Sequence, residues 1–372
     1  MNNWFILLPD ELIHKIAFYL ALNRINHFCL ICVRFNKLVS NNNLYWNQRF
    51  IQDIGIPSEQ QERRQWREFY KDFGQLVILG SEPKDYNDIR AKKISCGGSN
   101  TMILDVNNNI YFNKLLLSFH GAKYIACGNT IQLFIDMEYN IWSFENNAIC
   151  LIKNLKAKYI SCGDGHAIFI DLNDEIWALG NNDFGQCGIS TELNYIFLQK
   201  ISDMKIKSAF CGNSHTVLID FEDNIWVFGD NEYGQLGLGD LTDRHVPSPL
   251  ISCTGNKLKG RSASCGYGHT IIIDLEDNIW VFGDNQYGQL GLGDTTSCII
   301  PILLTNIKAK SVACGDHHSV ITDLDDNIFV FGRNHVGQLG KIENKDILIP
   351  TSHSKRGYGI SCGNDHTAMI LF

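Results

Sequence analysis

Residues 211–240 read CGNSHTVLIDFEDNIWVFGDNEYGQLGLGD, and residues 265–294 read CGYGHTIIIDLEDNIWVFGDNQYGQLGLGD, identical at 24 of 30 positions. A chain that writes one stretch twice is read for its period before any motif. Cys-Gly begins at Cys96, Cys127, Cys162, Cys211, Cys265, Cys314 and Cys362, and 14 residues after each of the first six stands Ile followed by an aromatic. The constant offset implies a rigid unit. The variable intervals between successive Cys-Gly steps, 31 to 54 residues, place the differences in loops.

Inside the unit the pattern is β. HTVLID is rich in β-branched residues, IWVFG is a second short strand, and leading segments such as KSAFCG give a third. The tetrapeptide between the first two is a turn ending in Asn at 109, 140, 224, 278 and 327, with Glu at 175. Asn tolerates the left-handed backbone that such turns demand. Short strands and Gly-rich turns in repeated units predict an all-β propeller. Six units carry both halves, and the seventh, CGNDHTAMILF, stops after its first. LVILGS at 76–81 matches IWVFGD at 225–230 and supplies the missing half, so residues 74–81 are expected to close the last of seven blades.

The pattern GHTxxxD…NIWVFGDNxYGQLGLGD resembles the repeat of the regulator of chromosome condensation family, whose members are seven-bladed β-propellers. The resemblance covers residues 74–372 and is strongest over 162–362. The units at Cys96 and Cys127 lack the Gly-Gln-Leu-Gly loop and have Asn100 and Ile131 where the others have His.

The repeated columns read as scaffold. Cys and His four residues apart (Cys211/His215 and Cys265/His269, beside Gly212 and Gly266) suggest a ligand pair. Equivalent positions in a ring of blades do not converge on one tetrahedral ion. No metal or other cofactor is expected, and the His rings are expected to tie down neighbouring backbone. Trp142, Trp177, Trp226 and Trp280 are expected to fill the space between blades. The loops opening at Gly234 and Gly288 lack the Lys and helix of a phosphate-binding loop and read as structural turns. Asp recurs nine residues after each Cys (Asp105 to Asp323) and a base four before it (Lys92 to Lys310), and these columns are expected to neutralise each other on one rim.

Residues 1–73 hold nine Lys/Arg and seven Asp/Glu, which leaves 23 against 33 in the rest. That acidic body argues against nucleic acid. No apolar run reaches the ~20 residues of a membrane span, and MNNWFILLPDEL has no basic signal-peptide start. Most of the 13 cysteines recur at one repeat position, so they read as reduced packing residues of an intracellular protein, cytoplasmic or nuclear. The Asn- and Ile-rich composition fits an AT-rich genome, of a protist or a large DNA virus. In the viral case the location would be the host cytoplasm.

Residues 1–73 share no repeat. Pro9-Asp10-Glu11 opens a helix, and Leu8, Leu12, Ile16 and Leu20 fall on one face of it. RINHFCLICVRFNKLV continues in the same style, with Cys29 and Cys32 inside its apolar stripe. The pattern Leu-Pro-x-Glu-x-Leu-x-x-Ile…Leu, then Cys-x-x-Phe-Asn-x-Leu and Trp46, resembles an F-box, with Leu44-Tyr45-Trp46 where the family writes Leu-Trp. The expected organisation is an all-α F-box-like domain over 1–55, a linker helix over 56–73 and the propeller over 74–372. The resemblance implies that Leu8, Pro9, Leu12, Ile16 and Leu20 dock on the Skp adaptor of a cullin ubiquitin ligase. The chain would then be a non-catalytic receptor for an unidentified protein substrate. The propeller family's founding member suggests the alternative, guanine nucleotide exchange on a Ran-like small GTPase. A plain interaction scaffold is the third reading.

Overall fold

The computed structural model describes residues 75–371, apart from 82–85, 87–88, 192, 252–254, 256 and 342. The F-box-like helices and the docking residues Leu8, Pro9, Leu12, Ile16 and Leu20 lie outside the described residues.

The described residues form 23 strands and no helix. Each Cys-Gly segment pairs antiparallel with the segment that follows, and that one with the Ile-aromatic strand. In the fourth unit His215 faces Gly229 and Ile219 faces Ile225. The same His-to-Gly register recurs at His166↔Gly180, His269↔Gly283 and His318↔Gly332. The His-led strand is central in each unit and covered on both faces, which is why His215–Ile219 is buried throughout and lacks the apolar–polar alternation of a half-exposed strand.

The intervals between units are not only loop, as the sequence suggested. They hold a fourth, outer strand, such as Arg244–Pro249 on the Ile225–Gly229 strand. In Tyr195–Cys211 the outer strand of one blade runs on to become the innermost strand of the next. These outer strands differ in sequence because much of their surface faces solvent, so they carry no repeat signal.

The first and last described strands meet. Gln75–Gly80 pairs with His366–Leu371, and Gly80↔His366 reproduces the register of the other blades. Around the axis, glycine backbones set the spacing. A Cβ on Gly128, Gly163, Gly212, Gly266, Gly315 or Gly363 would stand 2.1–2.7 Å from the carbonyl oxygen of a glycine in the next blade. The series ends with Gly363 against Gly98 and therefore closes a ring. Only glycine permits such an approach of backbone to backbone. The described residues thus form seven blades, six of them four-stranded.

At the turn rim the structure corrects two expectations. The left-handed residue is the one before the Asn: Asp223 (φ 62°), Asp277 (φ 65°) and Asp326 (φ 63°). The Asn instead donates its side-chain amide to the Asp nine residues after Cys. Asp274 shows the whole clamp: Oδ1 accepts the N–H groups of Glu276 and Asn278, and Oδ2 accepts Asn278 Nδ2 (2.9 Å) and Trp280 Nε1 (3.0 Å). That carboxylate is fully engaged, so the basic column pairs with the left-handed Asp instead: Lys207–Asp223 and Arg261–Asp277 at 2.8 Å, Lys310–Asp326 at 2.6 Å, and Lys158–Asp174. Each Trp thereby gains a polar anchor at its edge while its ring packs on the preceding blade, as Trp226 does against the cluster that holds Ile168, Ile176 and Ala178.

Burial alone would raise the Asp274 carboxyl, but hydrogen bonds from Trp280, Asn278 and the backbone outweigh it and hold the group below the usual carboxylate range. Asp274→Ala leaves a half-buried indole N–H and two turn amides unpaired. The expected loss is about 2–4 kcal/mol, read as a shift of the denaturant midpoint. A change below about 0.5 kcal/mol would show that water replaces the carboxylate at no cost.

Candidate functional site

Residues that vary inside an otherwise fixed unit are where a repeat scaffold places recognition. To find them, the fixed columns must first be accounted for. His215 Nε2 lies 2.8 Å from Thr270 Oγ1, and Thr270 Oγ1 donates to Gln235 O at 2.7 Å. The hydroxyl proton is used there, so His215 carries its proton on Nε2 and donates it. His166–Thr216, His269–Ser319, His318–Thr367 and His366–Thr101 repeat the link across successive blade boundaries at 2.9–3.0 Å. The rings therefore bind a hydroxyl of the next blade, and not backbone as the sequence suggested. The carbonyl taken by Thr270 and Ser319 belongs to the Gln of a Gly-Gln-Leu-Gly loop, and that taken by Thr216 to the Gln of the variant Gly185-Gln186-Cys187-Gly188, so the latch also pins these loops.

Nδ1 of His166, His215, His269 and His318 is buried without a hydrogen-bond partner, and burial pushes each of these imidazoles down to about 3. The column cysteines are free thiols, and burial raises Cys211 to about 12 and Cys265 well above its ordinary value. Neither set has the character of a nucleophile or base working near neutral pH. Among the described residues no group of three or more His, Cys, Asp or Glu is placed to hold a metal ion. The shaft between the Cys-Gly steps encloses about 60 Å³. That is room for a few waters and far below the roughly 300–1,000 Å³ of a small-molecule pocket. Gly234 and Gly288 turn with φ 79° directly against the Cα of Ile299 and Leu348, which is a packing role.

The variable positions converge on the other rim. In Cys-Gly-x-x-His the two open positions are Asp164-Gly165, Asn213-Ser214, Tyr267-Gly268, Asp316-His317 and Asn364-Asp365. The residue after the Ile-aromatic strand lies beside them: the N–H groups of Asp230, Asp284 and Arg333 donate to the carbonyls of Ser214, Gly268 and His317. The Gly-Gln-Leu-Gly loops add Tyr233 and Tyr287.

These side chains form one track across four blades. Ring centroids run Tyr233–Tyr267 6.0 Å, Tyr267–His317 5.5 Å, His317–Tyr287 5.1 Å and Tyr287–His335 5.9 Å. Tyr267 is 38% exposed at its centre. The Arg333 guanidinium lies 5.3 Å over the Tyr287 ring and 3.7 Å from Asp365. Asp284, beneath the track, stands 3.6 Å from His317 Nδ1. Burial would raise its carboxyl, but His317 and the Gln286 amide outweigh that and lower it. Asp316 is pushed up to about 6, by burial first, with Asp365 and Asp164 adding repulsion against the pull of His317. None of Tyr233, Tyr267, Tyr287, His317, Arg333 and His335 stood out in the sequence, because the fixed columns drew the reading. For Tyr267, His317, Arg333 and His335 the signal was their place at positions that vary between units, whereas Tyr233 and Tyr287 were hidden inside the fixed loop pattern.

A family model described as the regulator of chromosome condensation (RCC1) repeat matches residues 173–219, 222–273, 276–322 and 325–370. Ultraviolet-B receptor UVR8 of Arabidopsis thaliana is 41% identical over 64 residues, 17% of this chain and 14% of its own length. A Protein RCC2 homolog of Xenopus laevis is 34% identical over 61 residues, 16% of this chain and 12% of its own. The chain thus matches about a seventh of the length of these curated relatives. The crystal structure of Prp20p from Saccharomyces cerevisiae superposes with a TM-score of 0.71 at 16% identity, over 82% of this chain and 94% of that one. Human WBSCR16 gives 0.67 at 18% identity, over 80% and 99%. These two likenesses concern the fold. The four family matches together span more than half of the residues, and the chain belongs to the regulator of chromosome condensation (RCC1) repeat family.

Proposed function

We propose that this chain is a non-catalytic protein-recognition propeller of the cytoplasm or nucleus, binding its partner across the rim that bears Tyr233, Tyr267, Tyr287 and Arg333. One observation carries the reading: open positions and loop tyrosines of a rigid repeat come together there as a continuous aromatic and charged track. Tyr and Arg are the residues that dominate protein interfaces. The double variant Tyr267→Ala/Tyr287→Ala tests it. A partner cross-linked to the parent chain should be lost from the variant while the melting temperature holds. Equal recovery would move the interface elsewhere.

Two finer readings name a partner. Nucleotide exchange on a small GTPase draws support from the fold likeness to Prp20p, described with its binding to Gsp1p and histones, and to yeast RCC1 bound to Kap60. The ubiquitin-ligase reading draws on the F-box resemblance of residues 5–50, with Leu8, Pro9, Leu12, Ile16 and Leu20 on the Skp adaptor. The comparisons favour the first. A fluorescent-nucleotide release assay on a Ran-like GTPase and a pull-down of the Skp adaptor, each with parent and Leu8→Ala/Pro9→Ala chains, separate the two. Exchange indifferent to the N-terminal change supports the first. Adaptor capture abolished by it supports the second.

A further inference from the structure

The two rims of the propeller differ in how their carboxylates are engaged. On the turn rim, Lys158, Lys207, Arg261 and Lys310 each pair with an Asp, and the clamp carboxylates Asp136, Asp220 and Asp274 are taken up by Asn and Trp donors. The aromatic rim differs. Asp164, Asp230, Glu232 and Asp316 have no ion pair among the described residues, and Arg333 is engaged with Asp365. Burial raises Asp230 and Asp316, and neighbouring carboxylates add to it, while His317 and Arg333 pull Asp316 the other way. A rim that combines tyrosine faces with unneutralised carboxylates has the two elements that bind a guanidinium or ammonium group, a π surface beneath it and an anion at its edge.

The molecule holds one example of that geometry. Arg333 lies over the Tyr287 ring with Asp365 within ion-pair distance. Tyr233 and Tyr267 continue the track, and in the described structure no cation is stacked on either of them.

We infer that the track Tyr233–Tyr267–His317–Tyr287, edged by Asp164, Asp230, Glu232 and Asp316, docks an extended segment of a partner protein through its arginine or lysine side chains. This rests on the rim being the recognition surface. Phosphate-bearing ligands, nucleic acid among them, are disfavoured there by like charge.

The test uses the full chain and three fluorescein-labelled peptides, each of six dipeptide repeats: Arg-Ala, Lys-Ala and Glu-Ala. Anisotropy titrations should show binding of the two basic peptides, the arginine one more tightly, and none of the acidic one. Tyr267→Ala/Tyr287→Ala should weaken arginine-peptide binding at least fivefold at unchanged net charge, and Tyr267→Phe/Tyr287→Phe should retain it within twofold. Asp316→Asn/Glu232→Gln should weaken it at least fivefold. Glu138→Gln/Glu276→Gln, which removes the same charge from the turn rim, should change it less than twofold. If the turn-rim pair weakens binding as much, or the alanine pair binds like the parent, the attraction is diffuse and the inference falls. If cross-linking still finds a partner that the alanine pair loses, while no basic peptide binds, the rim recognises other chemistry; the inference then fails and the recognition reading stands. Loss of both brings down both.

Discussion

Between pH 7 and pH 5 the melting temperature of this protein is expected to fall by more than about 10 °C, and the chain to be unfolded by about pH 4. His166, His215, His269 and His318 hold a neutral imidazole whose Nδ1 has no partner, and burial has pushed each down to about 3. In the unfolded chain the same rings titrate near 6.5. Below that value the unfolded state takes up protons that the folded state refuses, so stability is complete above pH ~6.5 and declines until pH reaches the folded value. At about 1.4 kcal/mol per pH unit, each ring contributes roughly 2 kcal/mol of destabilisation at pH 5. Four such rings approach the 5–15 kcal/mol that holds a typical domain together.

Other groups modify this without reversing it. Asp136, Asp220 and Asp274, held low by their Trp and Asn donors against the opposing effect of burial, contribute stability that is lost below about pH 4. Asp316, raised to about 6, and Asp230, also raised by burial, act in the opposite direction, since protonation relieves them, but they are two groups against four. Thermal melts followed by circular dichroism across this range give the answer. A melting temperature unchanged from pH 7 to pH 5 would mean that water reaches the rings. Replacing His269 with Asn should lower stability at pH 7 and flatten the pH slope by about a quarter.

Deleting residues 74–81 should have the second large effect. Six residues of antiparallel ladder are lost, from Gln75↔Leu371 to Gly80↔His366, and one edge of the His366–Leu371 strand is left open. Leu76 and Ile78 pack with Tyr86, Ile103, Ala368 and Ile370, and full burial of each apolar side chain stabilises by about 1.5–3 kcal/mol. Beyond these local terms, the glycine ring loses the support that holds its last blade against its first. The expected outcome is an aggregating protein, or one without a single cooperative melt, because an open strand edge recruits other chains. The point variant Ile78→Asp, which places a carboxylate in that cluster, should lose about 4 kcal/mol or more. A truncated chain that melts like the parent would show that the ring holds without this pairing.

What the sequence made legible follows from how each feature is encoded. The 30-residue copy exposed the inner strands and the propeller, because their burial admits few residue types. The outer strands were not legible: Phe197, 82% exposed, and Lys205 face solvent, and nothing constrains them to repeat. The clamp was half legible. Asp and Asn were visible as columns, but whether Asn bends the chain or bonds the Asp depends on the dihedral of its neighbour, which composition does not encode. The latch escaped for a similar reason, since Thr270 belongs to the blade after His215 and the pair is 55 residues apart. Tyr267 and His317 escaped because a departure from a strong pattern reads as noise until a structure places the departures side by side.

The antiparallel ladder between residues 75–80 and 366–371 also has a consequence for biosynthesis. The partner of the first strand is made about 290 residues after it. At a ribosomal rate of roughly 5–20 residues per second, that strand waits about 15–60 s for its mate. During that interval Leu76 and Ile78 lie open beside a growing row of nearly finished blades. Slowing elongation in the last units should therefore prolong the vulnerable state, and a chaperone that shelters this strand should raise yield more than one that acts on the released chain.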